Sequence, residues 1–262
     1  ASTNKDGKLL GLFSYSGMYN GIRYTATKDD PKRTQPTLKE MTMKALDVLS
    51  QDKDGFFLMI EGGQIDWAGH NNDAGTMLHD LLKFDEAIQY VYDWVKNRKD
   101  TMVVITADHE TGSFGFSYSA ADLPKAKKLP GSGFAKRDYQ PNFNFGDKTL
   151  LDRLYAQSMS FDDMTAEFYD LDESMQTPEA FRKIMNDHTE FPITLKQAKA
   201  ILMDTPNPYK TPGHSYLSVD TLPAINDFQS FYVYGEEIRW DLMGRALAEQ
   251  QNIVWGTGTH TS

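Results

Sequence analysis

The chain alternates short apolar runs with longer amphipathic stretches. Continuous apolar runs at 9–14, 56–60 and 102–106 predict strands, and the last two have the composition of strands covered on both faces. Between those two, residues 73–96 repeat apolar positions at helical spacing, and Thr37 begins an earlier amphipathic helix with the Thr and Glu of a capping box. A strand, a helix and a strand in this order predict a parallel crossover unit. The expected fold class is α/β, a mostly parallel sheet flanked by helices.

The regular alternation stops near the middle of the chain. A loop rich in Lys, Gly and Pro over 124–140 is followed by three predicted amphipathic helices, at 149–158, 178–186 and 195–203. We interpret 118–204 as a large insertion, mainly helix and loop, within one partial domain spanning 1–262. The insertion is expected either to cover the core or to form a clasp to a second subunit. A last helix is predicted over 235–251.

Composition narrows the function classes. The 262 residues carry a net charge of −10, which argues against nucleic acid as a partner because phosphate backbones select basic surfaces. The chain has no cysteine, so disulfides and thiolate-bound zinc are excluded. No apolar run approaches the ~18 residues of a membrane span. Residues 1–8 are polar and do not show the apolar core of a signal peptide.

Two of the apolar runs end in side chains that bind metals. Glu61 closes the first run, and Asp66 and His70 follow it four residues apart. Asp108 and His109 follow the second run. Because the carboxyl ends of parallel strands meet at one edge of a sheet, we expect these groups to lie together. Zinc prefers imidazole and carboxylate where thiolates are absent, so the pattern predicts a metal site.

Each signal has a plainer explanation when it is taken alone. The spacing of Asp66 and His70 occurs by chance in many helices, and Asp108 with His109 is also typical of a helix cap. Glu61 is in place to cap the Gly-Gly turn that follows it. Together the signals favour a metal, because burying so many ionisable groups at one edge is costly unless a metal or protons neutralise them.

The remaining histidines receive structural explanations. His79 lies in the long helix beside Asp80 and is expected at a solvated surface. His188 follows an aspartate at a predicted helix end, where a cation is favoured. For His214 we expect a hydrogen bond within its loop in preference to a metal.

The ligand stretches together resemble the alkaline phosphatase family. The resemblance lies in FFLMIEGGQIDWAGHNNDA, in VVITADHETGSFG and in GTGTHTS, and it extends over most of the chain. The insertion, and Trp67 directly after Asp66, resemble the cold-active marine Vibrio-type members. Only the second half of such an enzyme is matched, since the family's Asp-Ser-Ala nucleophile motif does not occur in this sequence.

The resemblance implies a site with two zinc ions and one magnesium ion. It implies Asp66, His70 and His260 as ligands of the first zinc, Asp108 and His109 as ligands of the second zinc, Glu61 as the magnesium ligand, and Trp67 as a residue near the bound phosphate.

The same resemblance implies a reaction and a setting. The reaction is hydrolysis of phosphate monoesters through a phosphoserine intermediate, with the nucleophilic serine outside this chain. A homodimer and a periplasmic or secreted location are also implied. The alternatives are a sister activity of the superfamily (phosphodiesterase, sulfatase or phosphomutase), a metal-binding fragment without catalysis, and an α/β binding protein without a metal.

Overall fold

The fold is described from a computed structural model that covers residues 2–3, 7–134, 137–225 and 234–261. The helices are α1 (Gly21–Ala26), α2 (Leu38–Leu49), α3 (Gln64–His70), α4 (Ala74–Val95), α5 (Leu150–Tyr155), α6 (Phe161–Tyr169), α7 (Pro178–His188), α8 (Leu195–Ile201) and α9 (Gly235–Gln251). The strands are β1 (Ser2–Thr3), β2 (Leu9–Leu10), β3 (Glu110–Thr111), β4 (Gly115–Phe116), β5 (Lys127–Lys128), β6 (Asp138–Tyr139), β7 (Asp204–Pro206), β8 (Thr221–Pro223), β9 (Ile253–Val254) and β10 (His260–Thr261).

Helix α2 begins where its capping box predicts. The Thr37 hydroxyl accepts from the Glu40 N–H at 3.2 Å, and the Glu40 carboxylate accepts from the Thr37 N–H at 2.7 Å. The Arg33 guanidinium donates to both Glu40 oxygens, at 3.0 and 2.9 Å. This charge-assisted pair is the main reason that the pKa of Glu40 is lowered to about 2.

Asp73 anchors the longest helix, α4, to the helices of the second half. Its side chain is buried and caps α4 by accepting from the Thr76 N–H at 3.0 Å. It also accepts from the Gln157 side chain at 2.7 Å and from the Phe161 N–H at 2.8 Å. The carboxylate therefore satisfies donors from three segments, and burial raises its pKa.

The main hydrophobic core lies among helices α5 to α9. Its largest fully buried side chains include Phe161, Phe181 and Phe191, and they pack with Met243 and Leu247 of α9. The region predicted as an insertion thus supplies most of this core. Its amphipathic helices form because each has an apolar face that this cluster covers.

The predicted parallel sheet is not found in the described residues. Every strand pair within the described ranges is antiparallel and only two or three residues long. The predicted strands at 56–60 and 102–106 are not paired, and of the predicted strand at 9–14 only Leu9–Leu10 forms, against Ser2–Thr3. A strand exists only with a neighbour, and a local apolar pattern does not show where that neighbour lies.

The two unpaired segments are also exposed, in contrast to the predicted burial. Phe57 and Met59 are 88% and 74% exposed, and Met102 and Val104 are 85% and 71% exposed. Their apolar composition is typical of a strand covered on both faces. Within the described ranges, no other segment supplies that cover.

The prediction for His79 was also wrong: a solvated surface position was expected, but the side chain is buried. Its ring stacks on Tyr155 with centroids 4.3 Å apart, and its Nε2 is hydrogen-bonded to the Tyr155 carbonyl at 2.9 Å. Desolvation is the main reason that its pKa is lowered. The structural explanations of His188 and His214 are confirmed: His188 ends α7, and His214 Nδ1 accepts from two backbone N–H groups of its own loop.

Candidate metal centre

Helix α3 places the first two predicted ligands on one face. It begins after Gly63, with Asp66 in its first turn and His70 as its last residue. Residues four apart lie one above the other on a helix. The His70 Nε2 atom lies 3.5 Å from Asp66 Oδ2, as this spacing predicts.

The third predicted ligand, His260, lies far away in the sequence and is brought to α3 by a short pair of strands. β10 pairs antiparallel with β3, and His260 lies directly opposite Thr111. Opposed residues of an antiparallel pair share a face, so both side chains point towards α3. Gly112 permits the close approach of this ladder to α3, since a Cβ there would lie 2.7 Å from the Gly69 carbonyl oxygen.

The possible ligand atoms of Asp66, His70 and His260 form a compact triangle, in which one atom of each residue lies within 4.8 Å of the other two. The two histidine Nε2 atoms are 3.1 Å apart, Asp66 Oδ2 lies 3.5 Å from His70 Nε2, and Asp66 Oδ1 lies 3.3 Å from His260 Nε2. Neighbouring ligands of a tetrahedral zinc with Zn–N and Zn–O distances of about 2.0–2.1 Å lie about 3.3–3.4 Å apart. The donor set therefore fits a zinc ion in its chemistry, and its shortest contacts are close to this spacing.

A hydrogen bond to the backbone fixes the protonation of the His70 ring. His70 Nδ1 lies 2.7 Å from the Gly258 carbonyl oxygen, which can only accept, so Nδ1 is the protonated nitrogen. The lone pair of a neutral His70 is then on Nε2 and faces the triangle. The three side chains are between 21% and 47% exposed, so the centre is open to solvent on one side. An open coordination position is typical of catalytic zinc.

The second predicted pair lies beside this centre. The His109 and His260 rings are 3.8 Å apart between centroids, and His109 Nε2 lies 3.4 Å from Asp108 Oδ2. Hydrogen bonds from the backbone N–H groups of Asp108 and His109 hold the pKa of the Asp108 carboxyl below its usual range. Within the described ranges this pair has no third carboxylate or imidazole that would complete a second cluster of three ligands.

The two other predicted site residues lie apart from the triangle. Glu61 is exposed and its carboxylate lies next to Gly63, but no side chain caps the start of α3 with a hydrogen bond. Trp67 is 49% exposed, and its ring packs against Gly17 so closely that a Cβ at Gly17 would overlap it. The structure thus brings three of the predicted ligands together, places Asp108 and His109 beside them, and leaves Glu61 outside the cluster.

Two groups at the centre were missed by the sequence reasoning. The Thr111 hydroxyl donates to Asp66 Oδ1 at 2.6 Å, and the Gly258 carbonyl accepts from His70. Thr111 stands two residues after His109, and Gly258 stands two before His260. That proximity to predicted ligands is the one signal that the sequence offers for either group.

Comparison with known proteins places the chain in a family. Residues 1–197 match the family profile described as alkaline phosphatase, which is three quarters of the 262 residues. The chain therefore belongs to the alkaline phosphatase family, and the predicted family is confirmed.

Individual relatives match shorter segments. The chain is 40% identical over 133 residues to alkaline phosphatase 3 of Bacillus subtilis, which covers 48% of this chain and 27% of that enzyme. It is 44% identical over 110 residues to the repressible alkaline phosphatase of Saccharomyces cerevisiae, covering 39% of this chain and 18% of that enzyme. The matched segments thus span well under a third of these curated relatives.

Solved structures show that the fold is shared. The alkaline phosphatase of Thermus thermophilus superposes with a TM-score of 0.64 at 24% identity, covering 97% of this chain and 46% of that one. A cold-active alkaline phosphatase from Shewanella sp. gives a TM-score of 0.54 at 22% identity, covering 88% of this chain and 44% of that one. The chain spans less than half the length of either structure.

Proposed function

We propose that the protein containing this chain hydrolyses phosphate monoesters with the help of bound divalent metals. The observation that carries the proposal is the cluster of Asp66, His70 and His260, in which one possible ligand atom of each residue lies within 4.8 Å of the other two. Membership of the alkaline phosphatase family supports the choice of substrate class.

The proposed ligand sets follow the predicted ones. Asp66, His70 and His260 would hold the first zinc, with His70 oriented by its hydrogen bond to the Gly258 carbonyl. Asp108 and His109 would take part in holding the second zinc. Glu61 would hold magnesium after a movement of its side chain away from Gly63.

Bound divalent ions would neutralise phosphate charge and lower the pKa of a bound water from about 15.7 to about 7. The chain's own contribution is to fix the ligands: α3 sets two of them, and the β3–β10 ladder sets the third. A phosphate monoester would approach the centre from its solvent-exposed face. Trp67, one residue after Asp66, would line that approach.

Four finer features are also proposed, and they are supported by the resemblance. The reaction would pass through a phosphoserine, whose serine is not identified in this chain. Two copies of the protein would form a homodimer with the 118–204 insertion as the clasp, and the protein would be periplasmic or secreted. Of the three metal ions, two would be zinc and one would be magnesium. Within the described residues, no helix has both the length and the apolarity required to cross a bilayer.

The first experiment measures zinc binding. Metal-free protein is titrated with zinc by calorimetry, and Asp66→Ala is compared with Asp152→Ala, which removes an exposed aspartate in the first turn of α5. Outer hydrogen-bond partners alone cost about 10–100-fold in metal affinity. We therefore expect loss of the Asp66 ligand to cost at least as much and the control to cost nothing. Equal affinity in the two variants would contradict the proposed site.

The second experiment separates the reaction classes. The protein, at the length that the cell produces, is assayed with zinc and magnesium against p-nitrophenyl phosphate, bis(p-nitrophenyl) phosphate and p-nitrophenyl sulfate. We expect hydrolysis of the monoester and its loss in Asp66→Ala. Preference for the diester or the sulfate would favour a sister activity. Zinc binding without hydrolysis of any of the three would favour a metal-binding protein without catalysis.

A further inference from the structure

Thr111 stands between the two predicted zinc ligand sets. Its hydroxyl oxygen lies 2.6 Å from Asp66 Oδ1 and 3.3 Å from His109 Nδ1. Thr111 is also the residue directly opposite His260 in the β3–β10 ladder. One side chain therefore touches a ligand of each proposed zinc and shares a ladder position with a third ligand.

We propose that Thr111 is a positioning residue that sets the orientation of Asp66 and the proton position on His109. This inference rests on the proposed metal site. Thr111 would not itself bind metal, because its hydroxyl is engaged by the two ligands.

The direction of the hydrogen bonds follows from the chemistry of the groups. An ionised carboxylate can only accept, so the Thr111 hydroxyl must donate to Asp66. The Thr111 oxygen then has lone pairs left, and it can only accept from His109 Nδ1. His109 Nδ1 also lies 3.3 Å from the Glu110 carbonyl oxygen, a second acceptor for the same proton.

The position of the proton on Nδ1 determines which nitrogen of His109 can bind a metal. If a neutral His109 carries its proton on Nδ1, then the lone pair is on Nε2, the nitrogen that lies 3.4 Å from Asp108 Oδ2. A lone pair on that side is what a metal held by Asp108 and His109 requires. On the other side of the hydroxyl, the bond to Oδ1 stops rotation of the Asp66 carboxylate while both histidine Nε2 atoms lie against it.

Backbone packing holds the hydroxyl in this position. Thr111 lies against Gly69 of α3, where an added Cβ would stand 3.1 Å from the Thr111 Cβ. The ladder on one side and the helix on the other leave the Thr111 side chain little freedom. The hydroxyl therefore restrains Asp66 and His109 at low entropic cost.

Three substitutions test the proposal in the purified protein. Thr111→Val keeps the shape and removes the hydroxyl, Thr111→Ser restores the hydroxyl, and Thr221→Val changes an exposed threonine of β8 as a control. Zinc affinity is measured by calorimetry. We expect Thr111→Val to lose about 10–100-fold, as outer hydrogen-bond partners of metal ligands do, and Thr111→Ser and Thr221→Val to stay within about 3-fold of the unchanged protein.

A spectroscopic measurement distinguishes the proposed positioning role of Thr111 from a general effect of the substitution on the structure. In metal-free protein labelled with ¹⁵N-histidine, long-range ¹⁵N–¹H correlation shows which nitrogen of His109 carries the proton. We expect the Nδ1–H form in the unchanged protein and in Thr111→Ser, and a mixture in Thr111→Val. An Nε2–H form in the unchanged protein would overturn the proposal even if Thr111→Val failed to fold.

The failures of the two proposals are distinguishable. If Asp66→Ala binds zinc as the unchanged protein does, the metal site itself is wrong. If Asp66→Ala loses zinc while Thr111→Val keeps full affinity, the metal site stands and the role of Thr111 is wrong.

Discussion

The Nε2 atoms of His70 and His260 lie 3.1 Å apart, although 190 residues separate the two histidines in the sequence. The His70 Nδ1–H donates a hydrogen bond to the Gly258 carbonyl, so its Nε2 presents a lone pair. A second imidazole nitrogen this close either donates its own N–H to that lone pair or shares a bound cation with it, and Asp66 supplies a negative charge at the same point. The proposed zinc ion would satisfy both nitrogens and the carboxylate together.

Metal removal should therefore destabilise the fold. A ligand present at 100 times its dissociation constant adds about 2.7 kcal/mol to the free energy of unfolding. We expect zinc to raise the midpoint of thermal unfolding and a chelator to reverse the rise. In His70→Ala the shift should vanish, whereas His214→Ala, in a distant loop, should keep it. An identical shift in both variants would show that zinc binds elsewhere.

Asp108→Ala should remove the second zinc and most of the turnover. The Asp108 side chain is 85% exposed, so the substitution leaves no cavity and should change stability little. Elemental analysis of the purified protein measures the zinc content, and Asp29→Ala is the control for an exposed aspartate. Full zinc content in Asp108→Ala would contradict the assignment of Asp108 as a zinc ligand.

Glu61→Gln should act on magnesium and leave zinc in place. The exposed carboxylate lies beside Gly63, apart from the zinc triangle, so its charge can be removed without disturbing Asp66 or His70. We expect a weaker stimulation of activity by magnesium and an unchanged zinc content. Loss of zinc in this variant would instead place Glu61 in a zinc site.

Gly258→Ala should disturb the centre through its backbone. An added Cβ would overlap the buried Asp241 carboxylate and push the segment that carries the acceptor of His70. Overpacking of this kind costs typically about 1–3 kcal/mol of stability, and zinc affinity should fall with it. Gly133→Ala is the matched control, since its Cβ would meet nothing within 4 Å. Equal stability of the two variants in urea titrations would disprove the clash.

Asp80 should make stability depend on pH. It is buried and accepts from the Gly21 N–H at the start of α1, and desolvation is the main reason that its pKa is raised to about 7. Between about pH 4 and pH 7 the folded state then binds more protons than the unfolded state, so stability falls as pH rises, by up to about 1.4 kcal/mol per pH unit. Asp80→Asn should flatten that slope. Asp85→Asn, an exposed change in the same helix, should leave it as it is.

The sequence predicts helices well because their signals are local. The capping box predicted at Thr37 is present, and α9 covers the 235–251 range that periodicity predicts. A cap is made by residues three positions apart, and an apolar stripe is read within a few turns. The pair formed by Asp66 and His70 is of the same kind, since helical spacing alone brings the two together.

Features that depend on distant partners were not predictable in this way. The apolar pattern of 102–106 predicts a buried strand, yet strand pairing depends on a neighbour that the pattern does not identify. His79 looked polar and exposed beside Asp80, but Tyr155 covers it from 76 residues away. The bond from Thr111 to Asp66 likewise joins residues 45 positions apart.

The exposed apolar segments at 56–60 and 102–106 should make the solubility of this chain depend on its concentration. Both lie outside regular secondary structure and carry no charge, and residues 102–106 are rich in Val and Ile. Uncovered stretches of this composition pair readily with the same stretch of another molecule. A high concentration of the chain, for example during overproduction, would thus favour aggregates held together by contacts between these two segments. Dilution, or a polypeptide that covers the segments, would keep the molecules apart.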